Sequence, residues 1–161
     1  MAKIKIGDMP PDFSLSDQNE QIHSLKDYKN KWILLYFYPK DNTPGCTKEA
    51  CSFRDWWGKL KKLGVVVLGV SKDSIKSHIN FANKYKLPFP LLSDQNLEVI
   101  KKYGAWAKKK MMGREYFGVK RISVLINPQG KVQKIYNNVK PEHHAEEVWH
   151  DVRQFTPKKT K

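Results

Sequence analysis

Two cysteines, Cys46 and Cys51, are the residues of this 161-residue chain whose type and spacing best suit chemistry. A thiolate is a strong nucleophile and a soft metal ligand, and two thiols can also form a disulfide. If both residues lie on one regular helix, their Cα atoms are about 8–9 Å apart, whereas a disulfide tolerates separations up to about 7 Å. The two thiols can therefore bond only if the first turns of such a helix unwind.

The pair fits two other common cysteine arrangements poorly. Its C-x4-C spacing differs from the C-x-x-C dithiol of thiol–disulfide exchange. A zinc site requires further ligands, and none of the candidate histidines stands at ligand spacing from the cysteines; these are His78, His143, His144 and His150. We therefore expect no metal, and we expect His143 and His144 to face solvent at the start of the last helix.

The segment before Cys46 predicts how the thiol is positioned. Residues 32–38 are continuously apolar, which predicts a central strand buried on both faces. Pro39 ends that strand, and a turn at 41–45 opens a helix predicted over 44–62, with Thr43 as N-cap and Pro44 first in the helix. Cys46 then lies in the first helical turn, where unpaired N–H groups and the helix dipole favour a thiolate. From position alone, a reactive cysteine and a buried structural cysteine are equally open.

The remaining pattern alternates strands with helices, which predicts an α/β fold with a central mixed β-sheet, helices on both faces and an N-terminal β-hairpin. The predicted strands are 12–16, 21–25, 65–70, 91–92, 122–126 and 131–136; the other predicted helices are 75–85, 96–103 and 141–155; and 105–120 is predicted to be a loop.

Length and composition predict a single domain over residues 1–161, with a short basic tail at 156–161. The 40% hydrophobic content argues against a disordered basic chain. The longest apolar run is too short to span a bilayer, and the first residues hold no apolar segment of signal-peptide length. We therefore expect a cytoplasmic protein without a membrane partner.

The net charge of +14 points first to polyanions. Lysines are nevertheless spread along the whole chain, and no single cluster dominates, which favours a solvated basic surface. A basic nucleic-acid-binding protein with vestigial cysteines remains the alternative, supported by the charge alone.

Residues 39–46 resemble the P-x-x-x-T-x-x-C motif of peroxiredoxins. The longer stretch 36–51 closely resembles the peroxiredoxin Q, or bacterioferritin comigratory protein, subfamily, in which a resolving cysteine often follows five residues after the peroxidatic one. The similarity extends from about residue 5 to residue 155, including 118–121 and 125–130. It implies a thioredoxin-like fold.

The resemblance also implies roles for individual residues. Cys46 matches the peroxidatic nucleophile, and Thr43 matches the hydroxyl that orients the thiolate and the peroxide. Pro39 matches the residue that shields the pocket from water. Arg121 matches the arginine that holds the thiolate and the peroxide oxygens, and Glu49 stands where relatives commonly have an acidic residue that positions this arginine.

The implied activity is reduction of hydrogen peroxide and alkyl hydroperoxides through a sulfenic acid on Cys46. Cys51 is implied to resolve it as an intramolecular disulfide, which thioredoxin or a similar dithiol donor then reduces. The resemblance implies no cofactor and a monomer or weak dimer, and nucleic acid is not expected as a partner.

Overall fold

The computed structural model describes residues 4–156, so residues 157–161 of the basic tail lie outside the described residues. Seven strands form one mixed sheet in the order β2-β1-β5-β4-β3-β8-β9, and β6 pairs with β7 in a separate two-stranded sheet. The strands are β1 Leu15–Ser16, β2 Ile22–His23, β3 Trp32–Phe37, β4 Val65–Ser71, β5 Leu91–Ser93, β6 Trp106–Met111, β7 Arg114–Val119, β8 Ile122–Ile126 and β9 Val132–Tyr136. The helices are α1 Pro44–Asp55, α2 Trp57–Lys62, α3 Ile75–Tyr85, α4 Glu98–Lys102 and α5 His144–Phe155, with a 3-10 helix at Leu25–Tyr28.

Strand β3 lies at the centre of the sheet, parallel to β4 and antiparallel to β8, and every one of its residues is buried. Its side chains alternate between two cores. Leu34 and Tyr36 join the core beneath α1, α2, α3 and α5, whereas Ile33 and Leu35 join the core that α4 covers. The predicted mixed sheet, flanking helices and N-terminal hairpin are thereby confirmed.

The chain leaves the carboxyl end of β3 and enters α1 after a short loop, as predicted, and ligand sites in α/β sheets commonly lie at such strand ends. Ala50 and Phe53 on α1 are fully buried against the sheet, so the helix is anchored by packing. The first turn of α1 is thus held above the end of the central strand.

The single helix predicted over 44–62 is wrong in one respect. The helix breaks at Trp56, whose backbone dihedrals (φ −95°, ψ 2°) close α1 and start α2. Trp56 packs on Trp149 of α5, with ring centroids 5.5 Å apart, while Leu60 of α2 reaches the core. The helix therefore breaks at a tryptophan packed against α5, two residues before Gly58.

The loop predicted at 105–120 is wrong, because this segment forms the β6–β7 hairpin with a complete antiparallel register. Its strands are rich in exposed cationic side chains, so the apolar–polar alternation of a half-buried strand is missing. Met112 and Gly113 both have positive φ (52° and 78°), as a two-residue hairpin turn requires. No helix among residues 4–156 is long and apolar enough to cross a membrane.

Candidate active site

Cys46 lies in the first turn of α1, and only 1% of its surface is exposed. Thr43 precedes the helix in extended conformation, and Pro44 begins it, as predicted. The Thr43 hydroxyl does not cap the helix, because it donates to the carbonyl oxygen of Lys40 at 2.8 Å. This bond closes the loop on itself just before the cysteine.

Arg121 connects Cys46 to Glu49 across the site. Its Nη2 lies 3.3 Å from Cys46 Sγ, and its Nη1 donates to Glu49 Oε1 at 2.8 Å. Arg121 lies in the short link between β7 and β8, 75 residues after Cys46 in the sequence. The fold places it against α1. The two arms of one planar guanidinium thus fix the thiol and the carboxyl group relative to each other.

Burial is the largest single influence on the pKa of both Glu49 and Arg121. Glu49 is fully buried, and this burial raises its pKa from 4.5 to about 7, although the Arg121 guanidinium opposes the shift. Burial works against the charge of Arg121 as well, yet Glu49 and Cys46 raise its pKa overall. Arg121 therefore keeps its positive charge against the thiol, while Glu49 exchanges a proton near neutral pH.

Gly45 makes the approach of Arg121 to Cys46 possible, and sequence reasoning missed it. A Cβ atom at position 45 would lie 2.9 Å from Arg121 Nη2, closer than real Cβ contacts. Glycine at this position therefore leaves the space that the guanidinium occupies.

Cys51 lies farther along α1, half-buried, and both cysteines are free thiols. Burial raises the pKa of the Cys51 thiol; Arg54 opposes this shift and Asp55 adds to it. Pro39 is half-buried just past the end of β3. The structure thus brings Arg121 into contact with both Cys46 and Glu49, and it keeps Cys51 on the same intact helix.

Comparison with known proteins gives the family. The profile of the AhpC/TSA family matches residues 6–135. The chain belongs to the AhpC/TSA family and is a peroxiredoxin.

The similar proteins carry the names of the peroxiredoxin Q, or bacterioferritin comigratory protein, subfamily that residues 36–51 resemble. The chain is 48% identical over 145 residues to a protein named putative peroxiredoxin Bcp from Coxiella burnetii, covering 90% of this chain and 96% of that one. A mutant of Xylella fastidiosa PrxQ superposes with a TM-score of 0.90 at 34% identity, covering 96% and 99% of the two chains. The bacterioferritin comigratory protein of Xanthomonas campestris gives 0.86 at 33% identity, with coverages of 96% and 99%. The peroxiredoxin assignment and the thioredoxin-like fold are confirmed, and the enzyme class is that of a thiol peroxidase.

In this peroxiredoxin the loop before Cys46 is anchored by a buried network that sequence reasoning also missed. The Asp41 carboxylate accepts from the Tyr38 hydroxyl at 2.5 Å and from the Ser77 hydroxyl at 2.8 Å, and it lies 2.6 Å from His78 Nδ1. His78 Nε2 lies 3.1 Å from the carbonyl oxygen of Leu92. The network ties the loop between β3 and α1 to α3 and β5.

Asp41, Asp73 and His78 place ligand atoms within 4.8 Å of one another, a spacing that suits a metal ion. Their hydrogen bonds explain the cluster without one. Asp73 Oδ2 accepts from the Asp41 backbone N–H at 2.9 Å and from the Ser71 hydroxyl at 2.7 Å. We interpret the cluster as part of the loop anchor.

The expectation that His144 faces solvent is wrong, whereas His143 is exposed. His144 is buried, with Nε2 2.7 Å from Ser123 Oγ and Nδ1 3.0 Å from Glu147 Oε1. Burial lowers its pKa, against the opposing effect of Glu147. It packs edge-on against Phe53 of α1, so it supports the helix that carries Cys46.

Proposed function

We propose that this peroxiredoxin reduces hydrogen peroxide and alkyl hydroperoxides with Cys46 as its nucleophile. The observation that carries the proposal is the contact of Arg121 Nη2 with the buried Cys46 Sγ, at 3.3 Å, in the first turn of α1. The related bacterioferritin comigratory protein of Xanthomonas campestris has alkyl peroxide reduction activity. The same substrate class is proposed here.

In the first half-reaction, the Cys46 thiolate attacks one peroxide oxygen and the O–O bond breaks. The sulfur keeps that oxygen as a sulfenic acid, and the other oxygen takes up a proton and leaves as water or an alcohol. Arg121 stabilises the negative charge spread over the two oxygens, because its guanidinium is fixed and permanently charged. Thr43 orients the reactants, Pro39 limits water access and Glu49 positions Arg121.

In the second half-reaction, the Cys51 thiol condenses with the sulfenic acid, which releases water and leaves a Cys46–Cys51 disulfide. Both cysteines lie on the regular helix α1, where residues five apart are too distant to bond. The start of α1 must therefore unwind between the two half-reactions. Thioredoxin or a similar dithiol then reduces the disulfide and becomes a disulfide itself.

A peroxidase assay tests the proposal. The wild type should consume hydrogen peroxide with either dithiothreitol or thioredoxin as donor, and Cys46→Ser should consume none. Cys51→Ser should form the sulfenic acid, turn over with dithiothreitol and stall with thioredoxin. Turnover retained in Cys46→Ser refutes the nucleophile, whereas full thioredoxin-dependent turnover in Cys51→Ser refutes the resolving cysteine alone.

Hydrogen exchange tests the unwinding step separately. Amides of residues 47–51 should be protected in the reduced protein, since Thr47 N–H makes the first helical bond, to Thr43 O. They should exchange at least about tenfold faster after one equivalent of peroxide, because the bonded form cannot keep this helix. Amides of α5 in the same sample serve as the internal control. Equal protection of residues 47–51 in the two redox states contradicts the unwinding.

A further inference from the structure

The β6–β7 hairpin exposes apolar side chains that the reaction does not use. Met112 is 98% exposed, Met111 62%, Phe117 60% and Tyr116 42%. They account for four of the nine exposed large hydrophobic side chains among the described residues. Side chains of this kind that cluster on a surface commonly mark a site of protein association, and methionine adapts its shape to a partner. Side chains alternate across the two strands, so Met111 and Tyr116 lie on one face beside the turn residue Met112, whereas Phe117 lies on the other face and stacks on Trp106. We call Met111, Met112 and Tyr116 the hairpin patch.

Cationic residues surround the hairpin patch. Lys108, Lys109, Lys110 and Arg114 lie on the two strands, and Glu115 is the single carboxylate between them. Glu115 is paired with Lys108 at 2.7 Å. The hairpin therefore presents a net positive charge together with its apolar side chains, which complements an acidic protein surface that has an apolar centre.

The hairpin is continuous with the site of reaction. A groove of about 500 Å³ is lined by Lys108 and Lys109 from the hairpin and by Lys120 and Arg121 beyond it. Arg121 is the residue in contact with Cys46. The strands, of six residues each, are about 20 Å long, and the groove lies against the middle of β6. A protein bound along the hairpin is thus held beside Arg121 and the first turn of α1.

We propose that the hairpin patch and its cations dock the acidic dithiol protein that reduces the Cys46–Cys51 disulfide. The inference rests on the proposed function, which requires a dithiol donor but leaves its binding surface undefined. Small thiols need no docking surface. The hairpin therefore affects reduction by a protein donor and leaves reduction by dithiothreitol unchanged.

Steady-state kinetics with an acidic thioredoxin test this surface, with dithiothreitol as the small donor. The test variant is Lys110→Glu combined with Arg114→Glu, two exposed positions of the hairpin. The control is Lys61→Glu combined with Lys62→Glu, two exposed positions on α2 that lower the net charge by the same amount. The test variant should raise the KM for thioredoxin about tenfold at low salt, less at high salt, with dithiothreitol-supported turnover unchanged. The control should change neither value.

A second variant, Met112→Asp, tests the same surface if the charge reversals impair folding. Met112 is nearly fully exposed at the turn, so its substitution leaves the fold intact. This variant should also raise the thioredoxin KM and leave dithiothreitol-supported turnover unchanged. An unchanged KM in Met112→Asp overturns the proposal, as does an equal rise in the test variant and the α2 control.

Anionic membranes are the other partner that suits cations beside apolar side chains. Vesicles of phosphatidylglycerol and phosphatidylcholine separate this case. The proposal is overturned if the vesicles bind the wild type but not the test variant, while the test variant keeps the wild-type KM for thioredoxin. The surface would then bind lipid. Absence of peroxide turnover with dithiothreitol in the wild type would instead refute the proposed function.

Discussion

Gly45 determines how closely Arg121 can approach Cys46. In Gly45→Ala the new Cβ displaces the guanidinium, because it would lie 2.9 Å from Arg121 Nη2. We expect kcat/KM for hydrogen peroxide to fall by about a hundredfold, the lower end of the loss that follows removal of one charge-stabilising donor. The free energy of unfolding should change by less than about 1 kcal/mol, since alanine favours a helix.

Gly58→Ala is the matched control for this substitution. A Cβ at position 58 meets nothing within 4 Å. The control should keep its activity and should be at least as stable as the wild type, since alanine favours a helix. Peroxide assays and urea denaturation measure the two quantities. Full activity in Gly45→Ala would contradict the role given to Arg121.

Glu49 makes stability depend on pH in a defined direction. Burial raises its pKa from 4.5 to about 7 in the folded protein, so the folded state holds a proton that the unfolded state has already lost. The stabilisation is complete below pH 4.5 and is lost as pH rises through 7. Relative to Glu49→Gln, the wild type should therefore lose up to about 3 kcal/mol of unfolding free energy over this window.

Urea denaturation of both proteins between pH 4 and pH 8 measures the difference. Burial lowers the pKa of His144, so its contribution has the opposite sign. It is common to the two proteins and cancels in the comparison. Parallel stability curves would contradict the raised pKa of Glu49.

At the residue scale, the sequence predicts the positions that local chemistry defines. Cys46 falls in a first helical turn because Thr43, Pro44 and the preceding turn are local signals. Arg121 and Glu49 emerge only from the family resemblance, since 72 residues separate these two contacting side chains. Gly45 escapes prediction because the steric need for glycine arises from a side chain on another element.

At the element scale, the loop between β3 and α1 depends on the Asp41 anchor. Asp41→Ala leaves the buried His78 and Tyr38 without their partner, so we expect a loss of about 3 kcal/mol in unfolding free energy. Peroxide turnover should also fall at temperatures where the variant stays folded, because residues 39–43 are less fixed. Thermal and urea denaturation measure the first effect.

Asp55→Ala is the control for the anchor. Asp55 forms an exposed pair with Arg54 at 3.1 Å, and such pairs contribute little. The control should differ from the wild type by less than about 0.5 kcal/mol. Equal stability of the two variants would contradict the anchor.

The sequence predicts the elements whose burial produces a local apolar pattern. Continuous apolar runs predict β3 and β4, and the turn at 127–130 predicts the pairing of β8 with β9. The β6–β7 hairpin is missed because its strands are mostly exposed and cationic, so no apolar period marks them. The break at Trp56 is missed because its packing partner Trp149 lies far away in the chain.

At the scale of the whole molecule, the net charge of +14 does not by itself identify the function. Charge alone favours polyanions, whereas the family match and the contact between Arg121 and Cys46 identify a thiol peroxidase. The hairpin carries part of this charge beside the active site, where we propose that it attracts the protein reductant. Elsewhere the lysines are dispersed over the chain, where salt screens them.

Mass spectrometry of both thiols during titration with hydrogen peroxide tests the central claim most directly. With one equivalent of peroxide, the wild type should lose two hydrogens and link Cys46 to Cys51, and Cys51→Ser should gain one oxygen on Cys46. Cys46→Ser should remain unmodified at Cys51. Oxidation of Cys51 ahead of Cys46, or an unmodified Cys46 after one equivalent of peroxide, would contradict the account.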